Sequence, residues 1–205
     1  KGLSRGEIDF AYMNPYHAVM YKKNYTPIIK DGKQKLSGIL VVPIDSKYKN
    51  IKELNGKKIA FPSPNAFAAS LLIRSQLKYV EKIDFEPLYV NTHTNVYKYV
   101  VIGDSDAGGG VNKTLRKESP NVQSRLRVLY TTPQTSPHPF CASKKVPEKT
   151  VKNVQQAFLR LIGANPGMAK ALENIEISEP VAADYKSDYA NLEKLNISKL
   201  VVVEE

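Results

Sequence analysis

The residues of this chain with chemistry to offer sit where predicted strands hand over to predicted helices. His93 stands in Asn91-Thr92-His93-Thr94-Asn95, at one such junction. An imidazole there titrates near neutral pH and can donate to an oxyanion, with Thr94 beside it; a plain surface or capping histidine is the alternative. Ser63, Asn65, Ala66, Phe67 and Ala68 span a second junction. Backbone N–H groups at a helix start are available to an anion, and Phe67 could form a wall. Capping by Ser63 or Asn65 explains the same residues without a ligand. At a third junction Tyr16 offers a flat face and a hydroxyl, or packs on the surface, while Asn14 reads first as a helix cap. Asp106 can accept from a ligand amine or brace a turn. His138 lies in a proline-rich stretch and could close over a pocket.

These residues do not assemble into a catalytic set. The chain has neither Gly-x-Ser-x-Gly nor Gly-x-x-x-x-Gly-Lys. His17, His93 and His138 lack metal-ligand spacing, so neither a metal nor a cofactor is expected. His93 with Asp106 would be two-thirds of a triad, but no serine or cysteine stands out as a nucleophile. Cys141, on a predicted strand beside a small residue, reads as buried and inert. The expectation is a binding protein and not an enzyme.

Composition sets further bounds. The 205 residues carry 30 Lys+Arg against 20 Asp+Glu, a net charge of +10. The lysines are scattered and never form a basic block interleaved with aromatics, which argues against nucleic acid as a partner. No apolar run approaches the roughly 18–20 residues that span a bilayer. A single cysteine excludes an intrachain disulfide. The first residue is Lys1, and the chain reads as a processed or trimmed product.

The elements that position these residues alternate. Strands are expected near 8–12, 26–30, 36–43, 58–61, 86–90, 107–109, 127–131 and 139–143. Helices are expected near 15–22, 50–55, 66–78, 92–102, 111–117, 147–162, 166–172 and 182–195. Residues 147–162 place Val151, Val154, Phe158 and Leu161 on one stripe. The phrase Gly-x-x-Asp followed by small or apolar residues occurs at Gly6–Ala11 and again at Gly103–Gly108. Alternation plus recurrence predicts two α/β lobes with largely parallel sheets, facing each other as a clamp for a small ligand. Residues 29–37 and 131–138 are the expected hinges.

Several phrases, in order, resemble the phosphonate/phosphate/phosphite-type solute-binding proteins of bacterial ABC importers. They are GEIDFAYMNPY at Gly6–Tyr16, IKELNGKKIAFPSPN at Ile51–Asn65, His93, GDSDAGG at Gly103–Gly109, RVLYTTP at Arg127–Pro133, and Val146-Pro147. The resemblance implies a two-lobed type 2 periplasmic binding protein fold, with residues 1–34 and 144–205 in lobe one and 35–143 in lobe two. It implies a ligand-contacting tyrosine near Tyr16 and a pocket histidine at His93. It also implies a periplasmic protein that captures a small oxyanion-bearing, phosphonate- or phosphate-like ligand for a membrane permease. A sensor module with the same fold is the alternative, and an enzyme acting on a small anion ranks third. The opening part of the family's first lobe is missing, so a fragment, or association through an incomplete lobe one, is expected. A Ser-Thr-Ser run usual at the helix start is here Ala66-Phe67-Ala68, which leaves room for a less charged or more apolar ligand.

Overall fold

The computed structural model describes residues 2–164 and 166–202. Its strands are β1 (Phe10–Tyr12), β2 (Tyr25–Asp31), β3 (Ile39–Pro43), β4 (Lys57–Phe61), β5 (Phe85–Tyr89), β6 (Ala107–Gly110), β7 (Leu126–Thr131), β8 (Phe140–Ser143) and β9 (Pro180–Ala182). The chain divides into two compact units, Lys1–Leu36 with Thr135–Lys194 and Ser37–Gln134 with Leu195–Glu205.

The first unit holds a sheet in the order β1-β8-β2-β9, antiparallel throughout. The helix Glu148–Ala164 packs on it because its apolar residues recur at helical spacing. Val151, Val154 and Phe158 meet the cluster around Ile28, Ile29 and Ala142. Phe140 links the layers, stacking on Phe10 at 5.9 Å and meeting Phe158 at 4.9 Å. Buried Asp31 braces the end of β2, accepting from the N–H groups of Lys33, Gln34 and Glu179 and from the Ser178 hydroxyl. Burial works to raise its pKa, but these donors together hold it below the ordinary carboxylate value.

The second unit holds a mixed sheet, β5-β4-β6-β3-β7. Only β5, β4 and β6 run parallel; β3 is antiparallel to both β6 and β7. The expectation of largely parallel sheets is therefore corrected. Parallel neighbours need a long crossover, and the helical stretches 67–80 and His93–Ile102 supply the two present. The connection from β3 to β4 carries only the short 3₁₀ turn Ile51–Leu54.

Two boundaries also move. Residues 135–143, expected in lobe two, belong to the first unit because β8 pairs with both β1 and β2. Residues 195–202, expected in lobe one, belong to the second. The helix expected near 182–195 is instead β9, a short helix Tyr185–Asp188 and a 3₁₀ stretch Ala190–Leu195. Ala182, the first residue of the expected span, pairs with Ile29 on the edge of β2, and a residue held in a ladder cannot also start a helix.

The helix expected at 66–78 forms at 67–80, but in wide turns. Phe67–Leu72 and Gln76–Val80 are π-helical around an α turn, Ile73–Ser75. Ser70 and Leu71 both donate to the Ala66 carbonyl, at 2.9 and 3.0 Å. This first turn lies directly on sheet backbone. A Cβ at Gly38 would overlap the Ala68 carbonyl, and one at Gly109 would overlap the Ala69 carbonyl and the Phe61 ring.

Candidate functional site

Because β4, β5 and β6 are parallel, their carboxyl ends, Phe61, Tyr89 and Gly110, share one edge of the second unit's sheet. Helices leave that edge at Phe67, His93 and Asn112. Helix N-termini present unpaired N–H groups and positive dipole ends, so the edge is suited to an anion.

His93 is fixed there by its neighbours. Thr92 caps the helix by accepting from Asn95 N–H at 3.1 Å, and the Asn95 amide donates to the Val90 carbonyl at 2.8 Å. The half-buried ring places Nδ1 3.4 Å from Thr114 Oγ1. Thr114 is itself held by the Tyr97 hydroxyl at 2.7 Å and the Val111 carbonyl at 2.9 Å. Nε2 has no partner among the described residues. Burial lowers the imidazole pKa, with Glu118 pulling the other way. The resting ring is therefore neutral at pH 7, and an oxyanion at Nε2 would favour the form that donates there. Thr94, by contrast, donates its hydroxyl to Glu118 at 2.8 Å.

Ala66 is the N-cap of the 67–80 helix and makes no side-chain capping hydrogen bond, so the alternative of capping by Ser63 or Asn65 does not apply at that position. Ser63 lies half-buried in the loop after β4. The Asn65 amide is paired with the backbone of Val202. Phe67 and Ala68 are buried, Phe67 to 4% exposure.

Beneath this loop lies a residue that sequence reasoning passed over. Arg74 is only 8% exposed, donates to the Pro64 carbonyl at 3.0 Å and to the Leu200 carbonyl at 3.4 Å, and stacks 5.6 Å from the Tyr89 ring centroid. Burial lowers its pKa, opposed by Tyr89 and Tyr79. Its signal was present: Arg74 lies four residues from Ser70 and seven from Phe67, on one buried helical face.

Asp106 is removed from the set. It precedes β6 at the opposite edge of the sheet, accepting from the Tyr48 hydroxyl at 2.7 Å and from Lys58 N–H at 3.1 Å. A carboxylate that ties two strand starts together is a brace, the alternative weighed for it.

The first unit gathers a second group past the end of β1. His138 Nε2 lies 2.9 Å from Asn14 Oδ1, and the His138 ring is 5.6 Å from that of Tyr12. Asn14 holds the N-cap position of its helix, but its side chain serves His138 and makes no capping hydrogen bond. Burial lowers the His138 pKa, with Glu176 opposing. Tyr12 was not anticipated, although it shares a strand face with Phe10. Its hydroxyl is pushed up to about 12 by burial, with Glu176 and Asp31 adding to the shift, so it stays a neutral donor. Tyr16 is buried at 6% exposure with its ring 4.0 Å from that of His17. Among the described residues no group of three His, Cys, Asp or Glu side chains is placed to hold a metal.

A family model for the phosphonate periplasmic substrate-binding protein of ABC transporters matches residues 1–189. The chain belongs to this family. Solved structures agree on the fold. XAC2383 from Xanthomonas citri, bound to chloride ion, superposes with a TM-score of 0.83 at 15% identity, over 97% of this chain and 80% of that one. PhnD1 from Prochlorococcus marinus, in complex with methylphosphonate, gives 0.75 at 17% identity, over 97% and 80%. A binding protein component of the ABC phosphonate transporter from Pseudomonas aeruginosa gives 0.67 at 17%, over 97% and 69%. The fold is that of the type 2 periplasmic binding proteins, with mixed sheets flanked by helices. The family serves importers: its members bind small molecules and work with permease components outside the cytoplasm, and the sensor alternative is not favoured. No helix among the described residues is long and apolar enough to cross a membrane.

Proposed function

We propose that this family member binds a small oxyanion stoichiometrically, without turnover, at the strand-to-helix edge of its second unit. One observation carries the reading. The His93 ring is steadied through Nδ1 by Thr114, its Nε2 has no partner among the described residues, and it starts a helix on the same sheet edge as the 67–80 helix. Backbone N–H groups at Ala66–Ala68 replace the hydroxyls of the family's usual Ser-Thr-Ser run, and Arg74 beneath the loop adds positive potential without reaching into solvent. PhnD1's complex with methylphosphonate makes an oxyanion with a small apolar substituent the first ligand to try.

Calorimetry with methylphosphonate, phosphate and methanesulfonate, alongside product analysis, tests the proposal. It expects one saturable site and no product. His93→Ala should weaken binding by on the order of 1–3 kcal/mol with the fold retained. Turnover, or silence across the series, would overturn it.

A further inference from the structure

The opposite end of the first unit's sheet carries a basic cleft that the solute-binding reading does not use. Strands β1 and β2 both run antiparallel to β8, so the approaches to β1 and β2 and the exit from β8 converge at one edge. Between them lies a cavity of about 230 Å³ lined by Arg5, Lys23, Lys144 and Lys145 with Gly6, Asn24 and Ser143. Among the described residues no carboxylate lines it.

Its walls are fixed by hydrogen bonds. Lys145 Nζ donates to the Gly6 carbonyl at 3.1 Å, and Lys145 N–H reaches Ser143 Oγ at 3.3 Å. The Asn24 amide donates to the Ser4 carbonyl at 3.4 Å, while the Asn24 carbonyl accepts from Lys144 N–H at 2.8 Å. Gly6 turns the chain at φ +64 beside the Lys145 amine. Arg5 is paired with Glu7 at 2.7 Å, which offsets its charge. The ammonium groups of Lys23 and Lys144 have no partner among the described residues.

Two unpaired cations and a third held in place, around a concavity without an acid, form a cradle for a compact, multiply charged anion. We infer that this cleft binds a phosphate group, with room beside it for several waters at about 30 Å³ each. The group can come from a soluble phosphate compound or from the headgroup of an anionic phospholipid. The inference is independent of the His93 site.

The test follows backbone amide resonances during titration with inorganic pyrophosphate. Gly6, Lys23, Lys144 and Lys145 should shift saturably in the wild type and equally in His93→Ala. In Lys23→Gln/Lys144→Gln, which removes no described hydrogen bond of either side chain, affinity at these resonances should fall on the order of fivefold per lysine. A parallel arm measures co-sedimentation with phosphatidylcholine vesicles with and without phosphatidylglycerol. Binding to the phosphatidylglycerol vesicles that the double variant loses assigns the phosphate to a lipid; pyrophosphate binding alone assigns it to a soluble compound. If neither probe binds, or if the double variant binds as the wild type does, the inference is wrong.

Discussion

Asn65 and Val202 hold each other by a reciprocal pair of hydrogen bonds. Asn65 Nδ2 donates to the Val202 carbonyl at 2.6 Å, and Val202 N–H donates to Asn65 Oδ1 at 2.9 Å. A side-chain amide thus imitates a strand partner and ties the loop before the 67–80 helix to a segment 137 residues away. Ser75 Oγ donates to the Leu195 carbonyl and Arg74 to the Leu200 carbonyl, so the segment is fastened at three places.

Asn65→Ala should destabilise the protein by about 1–2 kcal/mol, because the pair is exposed and water replaces part of each bond. Urea denaturation measures this. Oxyanion affinity should fall as well, since the loop that sets the helix-start donors loses its tether. An unchanged affinity would show that the loop holds its shape without Val202.

Arg74→Met keeps the apolar stem and removes the guanidinium. It leaves the Pro64 carbonyl with only the Ser70 hydroxyl at 3.3 Å and takes the guanidinium from the Leu200 carbonyl, which should cost about 1–3 kcal/mol of stability. Anion binding should weaken while binding of an uncharged probe does not, which a salt titration of affinity can separate from simple unfolding.

The three histidines give stability a predictable pH dependence. Burial is the leading cause of the lowered pKa of His17, His93 and His138. A depressed folded-state value means that the unfolded chain takes up protons first as pH falls through about 6.5. Stability is full above that pH, declines on acidification, and levels off below the folded values. Oxyanion binding should run the other way and tighten on mild acidification, because protonated His93 is the better donor. Thermal melts with and without methylphosphonate across this range check both signs, and His93→Gln should abolish the second.

Gly109→Ala would drive a Cβ into the Ala69 carbonyl and to 2.5 Å from Phe61 Cδ1. Neither the backbone nor a core ring can yield cheaply, so the cost should be about 1–3 kcal/mol. The displaced helix start should also lower ligand affinity.

Cys141 is fully buried, and burial pushes its thiol up to about 12. Iodoacetamide should leave it unmodified in the native protein and alkylate it after denaturation, as mass spectrometry would show.

Much of this was legible in the residues. Strand and helix positions follow from the periodicity of apolar residues, as along Val151, Val154 and Phe158, and from local punctuation such as Gly103, which ends its helix at φ +84. The family could be read from ordered phrases, and His93 at the start of a helix from Thr92, which caps it. These are properties of neighbours within a few bonds or a few turns, and the sequence states them directly.

Tertiary structure decided what distance along the chain conceals. Asp106 looked like a site residue and became a brace because Tyr48 and Lys58 meet it from elsewhere in the chain. Asn14 looked like a cap and serves His138, 124 residues away. Strand direction, the π turns on Gly38 and Gly109, and the partners of Asn65 and Arg74 have the same origin. A polar side chain takes whichever donor or acceptor burial leaves beside it, and that neighbour is chosen by packing of the whole unit.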